Sequence, residues 1–277
     1  MAETTGGVGA GTRSGVITLL TDFGLDDGYV AAVKGVIASL APDARVIDVC
    51  HRIPAHDVRR GGIVWASAVP YFPPGTVHVA VVDPGVGTAR RILAVEARGS
   101  IFLAPDNGII GHVASRREIR RSVEVREKKY FLPRVSPTFH GRDVFAPVAA
   151  RLASGLGVEA LGPPRRPTSW DALPSPRRRT VARGGRRVVE DRGEIVLTDG
   201  FGNAVTNLRP PEGRRLESLV AGGLTLRGLH RAYGEAPEGA PLALVGSTGH
   251  VEIAVNRGRA SEALQLRVGD RVTATWA

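Results

Sequence analysis

Cysteine is nearly missing from this 277-residue chain: Cys50 stands alone, which excludes any disulfide within the chain. Long apolar runs are missing too. No stretch reaches the roughly 18 uninterrupted apolar residues of a membrane-spanning helix. The Gly- and Thr-rich segment 1–15 lacks the basic start and apolar centre of a signal peptide, so it is expected to be a flexible tail and the compartment the cytoplasm. His51, His56, His78, His112 and His140 have no partner His or Cys at zinc-ligand spacing, and no metal is expected. The turn Pro84-Gly85-Val86-Gly87 lacks the Gly-x-Gly-x-x-Gly pattern of a dinucleotide loop. It also lacks the following Lys-Ser or Lys-Thr of a phosphate loop, so both nucleotide sites are set aside.

Lysine is scarce as well, with only Lys34, Lys128 and Lys129 among 37 basic residues. What the chain has in excess is arginine. A net charge of +10 invites a reading as a nucleic-acid binder, provided the charge gathers on one face. Most of it lies in two stretches. Residues 116–134 hold eight basic residues against Glu118, Glu124 and Glu127, and residues 163–192 hold nine arginines against Asp171, Glu190 and Asp191. No aromatic interleaving accompanies these arginines, so the expectation is a solvated surface stretch and a linker, with no nucleic-acid partner.

The length suits two domains, and 43% hydrophobic residues with a mean hydropathy of -0.03 is ordinary for a globular protein. Val16–Leu20 reads as a buried strand, Val30, Val33, Ile37 and Leu40 as a helical stripe, and Ala44–Val49 as a second strand. Asp57–Val69 reads as a helix capped by Asp57, and Val77–Val82 as a third strand. This alternation predicts an α/β domain over 16–162 with a central, mostly parallel sheet. Further strands are expected at 92–96, 101–104 and 122–125, with a helix over Val144–Ala153 and Asp143 as its candidate N-cap. Residues 163–180, with five prolines and five arginines, are expected to be the linker. Residues 181–277 show short β-like runs, among them 194–197, 242–245, 251–255 and 272–276, which predict a smaller all-β, barrel-like domain.

In a parallel sheet, ligands gather at the carboxyl ends of strands. Asp22 and Asp83 end two of the apolar runs, the second opening Asp83-Pro84-Gly85-Val86-Gly87-Thr88-Ala89-Arg90. Pro137-Thr138-Phe139-His140-Gly141-Arg142-Asp143 presents a histidine just before a helix. In the β half, Asp199, Phe201, Asn203 and Ser247 lie in two turn-rich segments. Together they offer an ammonium acceptor, an aromatic face, an amide and a carboxylate donor, the groups that an amino-acid nucleoside requires.

Six segments in order carry a resemblance: Thr21-Asp22-Phe23-Gly24, Val82-Asp83-Pro84-Gly85-Val86-Gly87, Pro105-Asp106-Asn107-Gly108, Phe139-His140-Gly141-Arg142-Asp143, Phe201-Gly202-Asn203 and Gly246-Ser247. Together they resemble the SAM hydroxide adenosyltransferase family, S-adenosyl-L-methionine (SAM) hydrolases that form adenosine and are similar in fold to fluorinase and chlorinase. The resemblance implies that Asp83, Arg90 and His140 act on water and that Asp22 holds the ribose hydroxyls. It further implies that Asn203, Glu252 and the backbone near Val255 contact adenine, while Asp199 and Ser247 hold the methionine amino and carboxylate groups. No cofactor is implied, SAM being the substrate, and the assembly would be a homotrimer with active sites between subunits. Halogenases place a Tyr at the position of Asp83 and a Ser at that of Gly141, which puts this chain on the hydrolase side. Competing expectations are a SAM-dependent halogenase, a non-catalytic SAM or adenosine binder, and an Arg-rich nucleic-acid binder.

Overall fold

The structure is a computed structural model that describes residues 13–277. Residues 1–12 of the expected tail lie outside the described residues, whereas Arg13 donates to the carbonyls of Leu152 and Leu156. The chain forms two units, the first running to Ala172 and the second from Leu173 to Ala277.

In the first unit, the apolar runs become strands β1 (Val16–Thr21), β2 (Arg45–Cys50), β3 (Val77–Val81), β4 (Ile92–Ala97), β5 (Ser100–Pro105) and β6 (Ile119–Glu124). They make one sheet in the order β2-β1-β3-β5-β4-β6. Strands β2, β1, β3 and β5 are mutually parallel, and β4 runs antiparallel to both of its neighbours. Alternate residues of each strand serve opposite faces. Ile17, Leu19, Val77 and Val79 pack against Ile37 of helix α1 (Tyr29–Leu40) and Val148 of helix α3 (Ala146–Ala153). Leu20, Ala80, Val95 and Phe102 pack on the other face with Trp65 of helix α2 (Val58–Ala68). Burial on both faces is why β1 and β3 read as nearly unbroken apolar runs. Asp57 caps α2, its Oδ1 accepting from the amide of Arg60 at 2.9 Å.

The second unit is an antiparallel sheet built from β7 (Arg177–Arg183), β8 (Arg186–Thr198), β9 (Ala204–Thr206), β10 (Leu216–Ala221), β11 (Leu224–Leu226), β12 (Pro241–Val245), β13 (Val251–Val255) and β14 (Arg271–Trp276). It curls into a nearly closed barrel around Ile195, Ile253, Val272 and Trp276. Strand β8 turns the corner: Arg192 and Gly193 pair with β14, and Ile195 onward pairs with β9. At the bend, Asn207 Oδ1 accepts from the amide of Glu194 at 2.9 Å. It fills the space where a side chain on Gly193 would stand, 2.1 Å from such a Cβ.

The stretch 163–180 is more ordered than a linker. Pro164 bridges Val123 and the amide of Arg165 donates to the Ser122 carbonyl, so 163–165 extends the sheet edge at β6, while 177–183 is β7. The expected helix over 144–153 is split, a π-helical turn over Gly141–Phe145 feeding α3. Asp143 does not cap it. The fully buried carboxylate accepts from the Ser136 amide at 2.8 Å and from Arg142 Nε at 2.6 Å, tying the preceding loop to the turn.

Candidate active site

The first cluster follows from strand register. Thr21 of β1 stands opposite Val81 of β3, so Asp22 and Asp83 leave the sheet at the carboxyl ends of neighbouring parallel strands. Asp83 is buried. Arg90 Nε donates to Asp83 Oδ1 at 2.9 Å and to Oδ2 at 2.7 Å, with Nη2 also bonded to Oδ2. The same Nη2 lies 3.0 Å from His140 Nδ1. Guanidinium can only donate, so Nδ1 is the acceptor and the proton of the neutral imidazole sits on Nε2. Burial, and then the Arg90 charge, push the His140 pKa below its ordinary 6.5, in keeping with that neutral form.

The loop geometry explains the glycines. Gly87, at φ +76°, places its α-carbon against Pro137, whose carbonyl oxygen would lie 2.4 Å from a Cβ, so the loop after β3 seats on the loop that carries His140. His140 immediately precedes the π-helical turn, a rare form that recurs at functional sites. Gly141 faces the Phe23 ring, which would come within 2.9 Å of a Cβ. Phe23, Tyr29 and Phe139 pack edge to face around that point, which brings the Asp22-Phe23 turn beside His140-Gly141. Asp22 Oδ2 accepts from the amide of His56, a residue held at φ +68°.

Behind these side chains lies a set of supports. Asn107 Nδ2 donates to the carbonyl of Val82 at 2.8 Å, fixing the residue before Asp83. Asp106 accepts from Arg91 Nε and from the backbone and hydroxyl of Thr168. Thr21 Oγ1 contacts His51 Nδ1 at 2.8 Å, and His51 Nε2 lies 3.0 Å from Asp48, which Lys34 also holds. Burial alone would raise the Asp48 pKa, but Lys34 and His51 outweigh it and hold it below the usual carboxylate range.

The second unit carries a separate groove of about 490 Å³, within the small-molecule range, lined by Phe201, Asn203, Tyr233, Val255, Arg257 and Arg259 among others. Phe201 is 80% exposed, and its ring meets no aromatic or cationic partner among the described residues. Asp199 builds the turn beneath it. Its Oδ1 accepts from the amides of Phe201 at 2.9 Å and Asn203 at 2.8 Å, and Oδ2 accepts from Asn203 Nδ2 at 3.0 Å. The Tyr233 hydroxyl donates to Glu252 Oε2 at 3.3 Å. Burial raises the Glu252 pKa and the nearby Asp199 adds to the rise, while the Tyr233 hydroxyl works against it.

The first unit thus brings together Asp22, Asp83, Arg90 and His140. The second brings together Phe201, Asn203 and Val255 at the groove wall, with Asp199 and Glu252 joined to it through Asn203 and Tyr233. Ser247 lies outside that wall, exposed at the tip of the β12–β13 turn next to Gly246, against which the Glu252 carboxylate packs. Sequence reasoning missed Tyr233, Arg257 and Arg259. Arg257 and Arg259 follow the apolar run 251–255 directly, and that position was the available signal. Tyr233 sits in a segment with no periodicity to mark it.

Comparison with known proteins bears on both clusters. Residues 17–162 match the SAM hydroxide adenosyltransferase N-terminal domain, and residues 193–273 match the C-terminal domain of the same family. An (R)-S-adenosyl-L-methionine hydrolase of Salinispora arenicola is 44% identical over 266 residues, covering 94% of this chain and 97% of its own. A fluorinase of Nocardia brasiliensis is more distant, 27% identical over 93% of this chain and 95% of its own. Among solved structures, an uncharacterized conserved protein from Thermotoga maritima superposes with a TM-score of 0.80 at 34% identity, covering 93% of this chain and 99% of that one.

Proposed function

Because the chain belongs to the SAM hydroxide adenosyltransferase family, we propose that it is an (R)-S-adenosyl-L-methionine hydrolase, an enzyme that cleaves SAM to adenosine and L-methionine. The observation that carries the reading is the continuous chain Asp83–Arg90–His140 at the carboxyl end of the parallel sheet, beside Asp22. In the reaction, water attacks the ribose C5′ in line with the departing sulfur. The C5′–O bond forms as the C5′–S bond breaks, the sulfonium takes the electron pair, and methionine leaves as a neutral thioether. A proton is released from the attacking oxygen. The leaving group needs no protonation, and the scheme calls for no cofactor.

The work left to the protein is to hold one water at attack distance and exclude others. Asp83 orients that water and accepts its proton. Arg90 stabilises developing hydroxide character, and His140, as the Nε2–H tautomer, holds the Arg90 guanidinium in place. Asp22 retains Oδ1 for the ribose hydroxyls. The exposed Phe201 ring offers a stacking face for adenine, with Asn203, Glu252 and the backbone at Val255 on its edge. Asp199 already accepts three protein hydrogen bonds, and its remaining lone pair would take the methionine ammonium. Ser247 would take the carboxylate. We further propose a cytoplasmic homotrimer whose active sites are shared between subunits.

The direct test is to incubate the purified protein separately with each sulfonium epimer of SAM and separate the products chromatographically. Adenosine and methionine in equal amounts from the (R) epimer are expected. A chloride-dependent 5′-halonucleoside would replace the reading with a halogenase, and intact SAM under saturating conditions would replace it with a binding protein.

A further inference from the structure

The two arginine-rich stretches meet in space within the first unit. Arg116, Arg120 and Arg121 from the first stretch and Arg165 and Arg166 from the second line one groove of about 370 Å³, and no carboxylate is among its lining residues. The cause is the extension of the sheet edge: Pro164 bridges Val123, the amide of Arg165 donates to the Ser122 carbonyl at 2.9 Å, and the two basic segments are drawn side by side. Pro167 has no N–H with which to extend this pairing, so the basic residues splay around an opening.

Three of the five guanidinium groups are already engaged. Arg121 is paired with Glu159, Arg165 Nε lies 3.4 Å from Glu124, and Arg116 stacks on Trp170 at 4.7 Å and donates to the Pro167 carbonyl. Arg120 and Arg166 have no carboxylate partner among the described residues. A second observation is independent of charge. Ser122 is only 9% exposed, it lines this groove, and its Oγ has no hydrogen-bond partner among the described residues. A buried hydroxyl left unpaired calls for an explanation, and a bound acceptor would supply one once the groove edge opens, the Oγ itself being closed to solvent in this structure.

We propose that this groove is a second binding site, for a compact phosphate-bearing anion of the pyrophosphate or nucleoside polyphosphate class. Guanidinium forks match phosphate oxygens in pairs, and two uncompensated arginines beside three partly engaged ones suit a ligand with more than one phosphate. A nucleic-acid track would need its charges spread along an extended surface, whereas these converge on a cavity of small-molecule size. Arg165 also borders the polar cavity that reaches Arg90, whereas Arg120 and Arg166 do not; Arg120 lines a neighbouring cavity with Glu96 and Glu159 as well, so substitutions at these two spare the Arg90 cavity.

The test is calorimetric titration of the full chain with inorganic pyrophosphate, ATP and a short RNA, repeated on Arg120→Gln/Arg166→Gln and on Ser122→Ala. Loss of about tenfold or more in pyrophosphate and ATP affinity is expected for the double variant, and about threefold for Ser122→Ala. Melting temperature and SAM cleavage should stay at parental values. Equal affinity for pyrophosphate and ATP assigns recognition to the phosphates alone, and tighter ATP binding assigns the Ile119 and Pro164 wall to the nucleoside. Absence of millimolar binding, or binding undiminished in the double variant, overturns the proposal. So does a response of RNA binding alone, which would make the groove part of a nucleic-acid surface.

Discussion

At the scale of single residues, Asp83 and Arg90 form an ion pair whose side chains are only 5% and 12% exposed. Removing one partner strands the other charge, so Asp83→Ala is expected to lose about 3–5 kcal/mol of stability. It should also lose on the order of a hundredfold or more in turnover. The double variant Asp83→Ala/Arg90→Met should recover much of the melting temperature and none of the turnover, which separates the structural from the chemical contribution. A single variant as stable as the parent would refute the buried-pair argument. His140 gives a second prediction. Its folded pKa lies below the unfolded value of 6.5, so between the two the unfolded chain binds more protons and stability falls as the pH drops below 6.5. Protonating Nδ1 also ends its acceptance from Arg90, so kcat/KM should fall on the same acid side. In Arg90→Gln the repelling charge is gone, and the His140 titration, followed by NMR, should move up toward 6.5. An unmoved titration would show that the Arg90 charge does not depress it.

At the scale of elements, the π-helical turn before α3 depends on a missing side chain. Gly141→Ser would place its Cβ 2.9 Å from the Phe23 ring, and overpacking of this kind costs roughly 1–3 kcal/mol. Because Phe23 follows Asp22, KM for SAM should rise along with the fall in melting temperature. Unchanged values of both would show that the ring yields freely. This turn also marks what the sequence could and could not reveal. Strands β1 and β3 were legible because burial on both faces leaves nothing but apolar residues, and α2 because Asp57 caps it. The antiparallel insertion of β4 between β5 and β6 was not legible, since pairing direction leaves no trace in periodicity. Strand β7 and the first half of β8 were hidden by Arg177, Arg178, Arg179, Arg186 and Arg187, which read as a solvated linker. In the fold, Arg178 reaches the fully buried Asp191 with two bonds, of 2.7 and 2.8 Å, and Arg179 pairs with Glu190, so charge there accompanies a strand rather than replacing one. Asp22, Asp83 and the Phe201 turn stood out because polar residues at strand ends break an otherwise apolar pattern. Arg90 and His140 were legible as a pair through the family resemblance alone, since no periodicity or spacing places them together; the loop contact at Gly87 shows how the fold does so.

At the scale of the whole molecule, the groups proposed to handle water lie in one unit and the aromatic groove in the other, and the proposed self-association, in which subunits share active sites, makes a specific demand. Asp83→Ala lacks the carboxylate proposed to orient water, and Asp199→Ala lacks the carboxylate that shapes the Phe201 turn. Each alone is expected to be nearly inactive. If every site takes its first unit from one subunit and its second from a neighbour, dissociating and reassembling the two variants together restores sites that pair an intact first unit with an intact second. In an equal random mixture about a quarter of the sites qualify, because each half is intact with a chance of one in two. Activity measured after reassembly should therefore rise from near zero to about a quarter of the parental value per site, and each variant carried through the procedure alone should stay inactive. Sites built within single chains allow no such recovery, since every subunit in the mixture carries one defective half. Absence of recovery from mixed assemblies of confirmed composition would thus exclude shared sites while leaving the chemistry assigned to Asp83, Arg90 and His140 intact.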